Sequence, residues 1–258
     1  MSRIVVLIHG AWLTTACWDR FRARYEREGY SVVVPPWPYV DRPIAALRRE
    51  PHPELAGLTI RRIVDHYDAL IRALPEPPII IGHSFGGLFA ELLLDRGLGA
   101  AGVAIEPAPI RGILPRPRSV VSSLPVYLAP FAWRRVLTLS YISFARNFAE
   151  TLPLDARPLA YDRHIVPAPG RLYFECVLGI GTGIKRQNPG RPPLLLIAGE
   201  RDRMIAPGMV FAAYRQERRA PSPTAFRTFA GRSHVIFAER GWQEVADAAI
   251  AWAEEHAW

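Results

Sequence analysis

The chain has 258 residues, 50% of them hydrophobic, with 32 Lys+Arg against 24 Asp+Glu and a formal net charge of +8. That length suits one α/β domain carrying an insertion, and the hydrophobic content excludes an intrinsically disordered chain. Two cysteines, Cys17 and Cys176, are too few and too far apart for a disulfide framework or a zinc site.

In chain order, the first expected element is a strand over Arg3–Ile8, a Val/Ile/Leu run without polar alternation, as in a strand covered on both faces. The run is too short for a secretory leader, and no apolar run reaches membrane-spanning length, so a cytoplasmic protein is expected. A helix follows around Trp18–Glu28, then a strand over Tyr30–Val34 that the prolines after it close. Residues 42–57 read as loop-rich, with no element assigned. Thr59 caps a helix to Ala73, with Ile60, Ile63, Val64, Tyr67, Leu70 and Ile71 on one face. Further strands are expected over Ile79–Ile81, Gly102–Ile105, Pro193–Ala198 and Thr224–Phe229. Helices are expected over Leu88–Asp95, Pro207–Arg218 and Trp242–Glu255. Alternation of this kind predicts a mostly parallel sheet flanked by helices.

Residues 108–190 read differently. They are rich in proline, arginine and aromatics, with helical patterns at Val126–Thr138, Tyr141–Phe148, Leu154–Tyr161 and Leu172–Leu178 and no clear strand. We read them as a helical cap inserted into a core of residues 1–107 and 191–258.

The most informative stretch is Gly82-His83-Ser84-Phe85-Gly86, between the strand Ile79–Ile81 and a helix. Strand, G-x-S-x-G, helix is the setting of a nucleophile elbow, whose sharp turn lifts the serine off the sheet. Asp202 and His234 each follow a later strand. Together the three supply the chemistry a serine hydroxyl needs. His234 takes the proton and returns it to the leaving group, and Asp202 fixes the imidazole tautomer. Each sits past the carboxyl end of its strand, where open parallel sheets bind ligands. Backbone N–H groups of Ala11, in His9-Gly10-Ala11-Trp12, and of Phe85 would form the oxyanion hole. His9 reads as an anchor for its loop, and His83 as a packing or supporting residue.

With those motifs in place, the chain resembles the α/β-hydrolase superfamily over essentially its whole length, in Gly82–Gly87, His9-Gly10 and the Asp202 and His234 loops. The resemblance implies an α/β fold with a mostly parallel, about eight-stranded sheet, a helical cap after the sixth strand, and hydrolysis of esters or related acyl compounds. Ser84 separates the chain from relatives that use an aspartate nucleophile. Val235 after His234 stands where hydroxynitrile lyases of this fold have lysine. Ala11-Trp12 departs from the Gly-rich oxyanion loop of carbon–carbon bond hydrolases. A carboxylic-ester hydrolase fits best. Alternatives are a lactonase or other acyl hydrolase with the same triad, or a catalytically silent ligand-binding protein. Some members place the acid at the position of Glu106, which is the alternative to Asp202.

No metal or cofactor is expected. The expected partner is a small acyl substrate of apolar character. Trp12 and His83 from the core, and Tyr127, Phe131 and Phe144 from a wider cap set that includes Phe148, are the candidate pocket residues. The positive charge is nearly all arginine, Lys185 being the only lysine. No dense basic block or aromatic-interleaved RNA motif accompanies it, so it reads as solvated surface, with neither nucleic acid nor membrane as partner.

Overall fold

A computed structural model describes residues 3–257. Its elements in order are β1 (Ile4–Ile8), α1 (Asp19–Arg27), β2 (Ser31–Val33), α2 (Ile44–Arg49), α3 (Ile60–Arg72), β3 (Ile79–His83), α4 (Phe85–Asp95), β4 (Ala101–Ile105), α5 (Pro117–Leu128), β5 (Val136–Leu137), the single turn α6 (Tyr141–Ser143), α7 (Ala156–His164), β6 (Ala168–Pro169), α8 (Arg171–Leu178), β7 (Leu194–Gly199), α9 (Pro207–Glu217), β8 (Thr224–Phe229) and α10 (Trp242–His256). The main sheet runs β2-β1-β3-β4-β7-β8, with every neighbouring pair parallel. It has six strands among the described residues rather than about eight. Residues 108–190 therefore follow the fourth strand in chain order rather than a sixth.

The order of the strands follows from their burial. β1, β3, β4 and β7 are buried at every residue, and they fill the centre of the sheet. β2 and β8 carry exposed positions and lie at the two edges. Pairing of Ile80 with Val6 and Gly102, and of Val103 with Leu195, aligns the carboxyl ends of β1, β3, β4 and β7. Helices flank this sheet. α4 packs on β3 and β4, and α10 on β4 and β7. α1 is tied to α10 by Tyr25 Oη donating to Ala246 O at 2.8 Å and by Phe21 against Trp242. Arg191, 1% exposed, staples the start of β7. It donates to Pro192 O and Thr224 Oγ1 and lies 3.4 Å from the buried Glu217 carboxylate.

Two expectations for residues 108–190 need correction. The helix placed at Val126–Thr138 lies earlier, at Pro117–Leu128. Pro117 at its first turn supports a helix start there, and Pro130 disfavours helical backbone at Ala129. Pro125 inside α5 obscures the pattern, because it removes one helical N–H and reads as a break. The region also contains strands, the short antiparallel pair β5–β6.

Candidate active site

Ser84 joins β3 to α4 with φ 57° and ψ −122°. A side chain other than glycine rarely adopts a positive φ. The neighbours enforce it. Ser84 N donates to Ile105 O at 2.9 Å, while its carbonyl accepts from Leu88 N at 3.1 Å and Ala108 N at 3.0 Å. The glycines clear space for the turn. A Cβ on Gly82 would lie 2.0 Å from Gly86 O, and one on Gly86 would lie 2.1 Å from Ile8 O. Trp12 (φ 62°) and Glu106 (φ 47°), past the ends of β1 and β4, share the left-handed backbone. Three of the five non-glycine residues with positive φ among the described residues thus gather at one edge of the sheet.

The structure brings Ser84, His234 and Asp202 together. His234 Nε2 lies 3.1 Å from Ser84 Oγ, and His234 Nδ1 lies 2.7 Å from Asp202 Oδ2. Asp202 is itself fixed. Its Oδ1 accepts from the Met204 and Ile205 N–H groups at 2.7 and 2.9 Å, leaving Oδ2 for the imidazole. The His234 ring lies edge-to-face with Phe148, with centroids 4.7 Å apart, and has His83 at 4.7 Å. The loop before it is held by a network that sequence reasoning missed. Ser233 N donates to Glu239 Oε1, and Thr151 Oγ1 bonds both the Ser233 hydroxyl and the Glu239 carboxylate.

Glu106 stands behind this group. Its Oε2 is 3.3 Å from His83 Nε2 and 3.5 Å from His234 Nδ1. It is fully buried, and a Cβ on Gly199 would fall 2.2 Å from its Oε1. Burial, then the charge of Asp202, pushes the Glu106 carboxyl well above the usual carboxylate range. Burial first, and His234 second, holds the His83 imidazole well below its usual value. The His83 imidazole is therefore neutral at pH 7, and the Glu106 carboxyl is biased toward its protonated form. His83, Glu106 and His234 have ligand-type atoms within 4.8 Å of one another. Asp202 already engages His234 Nδ1, so this cluster is a hydrogen-bonded support rather than an open metal centre.

His9 anchors the loop after β1. Its Nδ1 donates to Gly10 O at 2.9 Å, its Nε2 accepts from Trp37 N at 3.3 Å, and its ring stacks on Trp37. Burial lowers its pKa to about 4, so the ring is neutral. This arrangement sets Ala11 beside Ser84 and Phe85 in the wall of one cavity of about 380 Å³. The Phe85 N–H is at the first turn of α4, where helical N–H groups lack internal partners.

The cavity is predominantly apolar. Trp12 and Tyr127 line it, as expected, with Phe148, Tyr173, Met204 and Met209. Three of the candidate pocket residues do not line it. His83 is buried behind His234, Phe144 is buried against Phe148, and Phe131 is 64% exposed. Tyr173 was missed. It reaches Phe85 and Trp12, with ring centroids 5.1 and 5.0 Å away, and nothing in the helical pattern of α8 distinguishes it from a residue that serves only packing.

Residues 5–248 match the model of the alpha/beta hydrolase family. The chain belongs to the alpha/beta hydrolase family. Solved structures with the same fold span nearly its full length. A monoacylglycerol lipase from Paleococcus ferrophilus is 19% identical, with TM-score 0.67, covering 98% of this chain and 95% of that one. Methylketone synthase I from tomato, complexed with 2-tridecanone, is 14% identical, with TM-score 0.72 and 99% of each chain covered. A pyrethroid hydrolase from Sphingobium faniae is 17% identical, with TM-score 0.69 and 98% of each covered. Comparison with curated protein sequences gave no match. In this family member no helix among the described residues is long and apolar enough to cross a membrane.

Proposed function

We propose that this alpha/beta hydrolase cleaves a carboxylic ester of apolar character through an acyl-enzyme on Ser84. One observation carries the reading: a serine hydroxyl 3.1 Å from an imidazole whose other nitrogen lies 2.7 Å from a buried carboxylate, at the wall of an apolar cavity. His234 Nε2 accepts the Ser84 proton as Oγ bonds to the ester carbon. The carbonyl electron pair moves to oxygen, where the Ala11 and Phe85 N–H groups receive the negative charge. Collapse breaks the ester C–O bond, and the leaving alkoxide takes the proton from His234. Water then repeats the sequence on the acyl-serine, releasing the acid and restoring Ser84. Asp202 holds the Nδ1–H tautomer throughout.

In this reading residues 108–190 are a cap on a core of residues 1–107 and 191–258. The cap supplies the acyl-binding wall through Tyr127, Phe148 and Tyr173. The apolar lining favours hydrocarbon over charge, and the tomato relative holds a long-chain ketone, 2-tridecanone, in the same fold. The test is labelling with a fluorophosphonate alongside turnover of p-nitrophenyl esters. Wild type labels and turns over, and Ser84→Ala does neither. Labelling that survives in Ser84→Ala, or an intact protein inert toward every ester, overturns the reading.

A further inference from the structure

Between Pro107 and Ala149 the sequence has six arginines, Arg111, Arg116, Arg118, Arg134, Arg135 and Arg146, and no aspartate or glutamate. All six are exposed, and among the described residues none forms an ion pair with a carboxylate. The segment thus holds most of the chain's net charge of +8 without internal compensation.

α5, inside this segment, buries Val126 in the core but leaves most of its aliphatic side chains facing outward, unusual for a helix lying on its own protein. Its inward residues include Ser119 and Ser122. Ser122 Oγ donates to Arg203 O at 2.9 Å, and Ser119 Oγ accepts from Ala206 N at 3.3 Å, so hydroxyl groups moor the helix to the loop that carries Asp202. Its outward residues are Val120, Val121, Leu124 and Leu128, the last 71% exposed. Leu114 before the helix is 81% exposed, and Leu114 and Val120 also line the mouth of the Ser84 cavity. An apolar stripe with Arg116 and Arg118 beside it, neither paired with a carboxylate, therefore adjoins the entrance to an apolar site.

We propose that this face seats on a bilayer containing anionic phospholipid, with α5 lying in the plane of the interface. Its outward aliphatic side chains enter the boundary between headgroups and acyl chains, and the flanking arginines meet the phosphates. Charge selects this occupant over a second copy of the chain. A two-fold pairing through the same patch would set the arginines against their own mates with no acid between them. The contact is peripheral. It brings the cavity mouth to the phase in which apolar esters concentrate, and it does not depend on the hydrolytic reading.

The experiment is co-sedimentation of the full chain with vesicles of phosphatidylcholine alone or of phosphatidylcholine mixed with phosphatidylglycerol. Wild type and Ser84→Ala bind the anionic vesicles equally, bind the neutral ones weakly, and dissociate as salt rises. Arg116→Gln/Arg118→Gln weakens binding about 30-fold. Val121→Ser/Leu128→Ser weakens it at least about tenfold. None of these four side chains lines the cavity, so turnover of soluble p-nitrophenyl acetate stays at the wild-type level and reports the fold. Equal binding to both vesicle types, or binding that both double variants retain, overturns the proposal. So does a dimer in size-exclusion chromatography that the same variants dissociate, which assigns the face to a second copy.

Discussion

Replacing Asp202 with asparagine reverses a proton at the far side of the imidazole. In the wild type Oδ1 accepts two backbone N–H bonds, from Met204 and Ile205, and Oδ2 faces His234 Nδ1 at 2.7 Å. An asparagine must keep its carbonyl oxygen on those two donors, since an NH2 there would meet N–H groups. Its NH2 then points at Nδ1, which becomes an acceptor, and the ring proton moves to Nε2. That nitrogen can no longer take the Ser84 proton. Loss of the correct tautomer in a Ser–His system costs about 10⁴-fold in kcat. Glu106→Gln leaves the 2.7 Å Asp202–His234 bond in place and alters a group 3.5 Å from His234 Nδ1, so kcat falls by less than about tenfold. The assay is steady-state hydrolysis of a p-nitrophenyl ester, with circular dichroism to verify folding. A larger kcat loss in Glu106→Gln than in Asp202→Asn would refute this division of labour and make Glu106 the acid.

Three further outcomes are expected. Gly86→Ala drives a Cβ to within 2.1 Å of Ile8 O, and since the obstacle is backbone the variant loses stability by about 3 kcal/mol or more in urea unfolding. An unchanged midpoint would contradict the tight β1–α4 contact. Acid acts on the oxyanion loop through His9, whose folded pKa of about 4 lies below the unfolded value near 6.5. The stability it contributes is complete above that unfolded value and is lost as pH falls toward 4, on the order of 3 kcal/mol. Glu150, pushed up to about 7 chiefly by burial, pulls the opposite way, so the comparison is of Tm against pH for wild type and His9→Gln. Parallel curves would exclude His9 as the source. Lengthening the acyl chain from acetate lowers KM by up to about fourfold per CH2 while the chain still enters the cavity. A KM independent of chain length would place the acyl group outside it.

The parts of the molecule legible in the sequence are those in which local chemistry and tertiary position coincide. β1, β3, β4 and β7 are buried on both faces, and so they read as uninterrupted apolar runs. The elbow is legible because Gly82 and Gly86 answer a steric demand within five residues of each other. Asp202 and His234 follow strands, and their meeting is a consequence of sheet order, which the alternation of strands and helices already implies. Residues 108–190 are less legible. They serve local packing, the cavity and an exposed face at once, and periodicity alone does not sort Phe144, Phe131 and Phe148 among those three. β5 and β6 are two residues each, below the length at which alternation carries information. The arginines read as scattered surface charge in the sequence because the missing signal is an absence, the lack of acids from Pro107 to Ala149, and it gains meaning only beside the outward apolar face of α5.

Rapid mixing of wild type with a p-nitrophenyl ester, followed by acid quench and mass spectrometry of the peptides, tests the central claim most directly. A burst of p-nitrophenol approaching one equivalent, with the acyl mass on the peptide containing Ser84 and neither burst nor adduct in Ser84→Ala, is the expected result. An acyl group carried on another residue, or turnover that persists in Ser84→Ala, would contradict it.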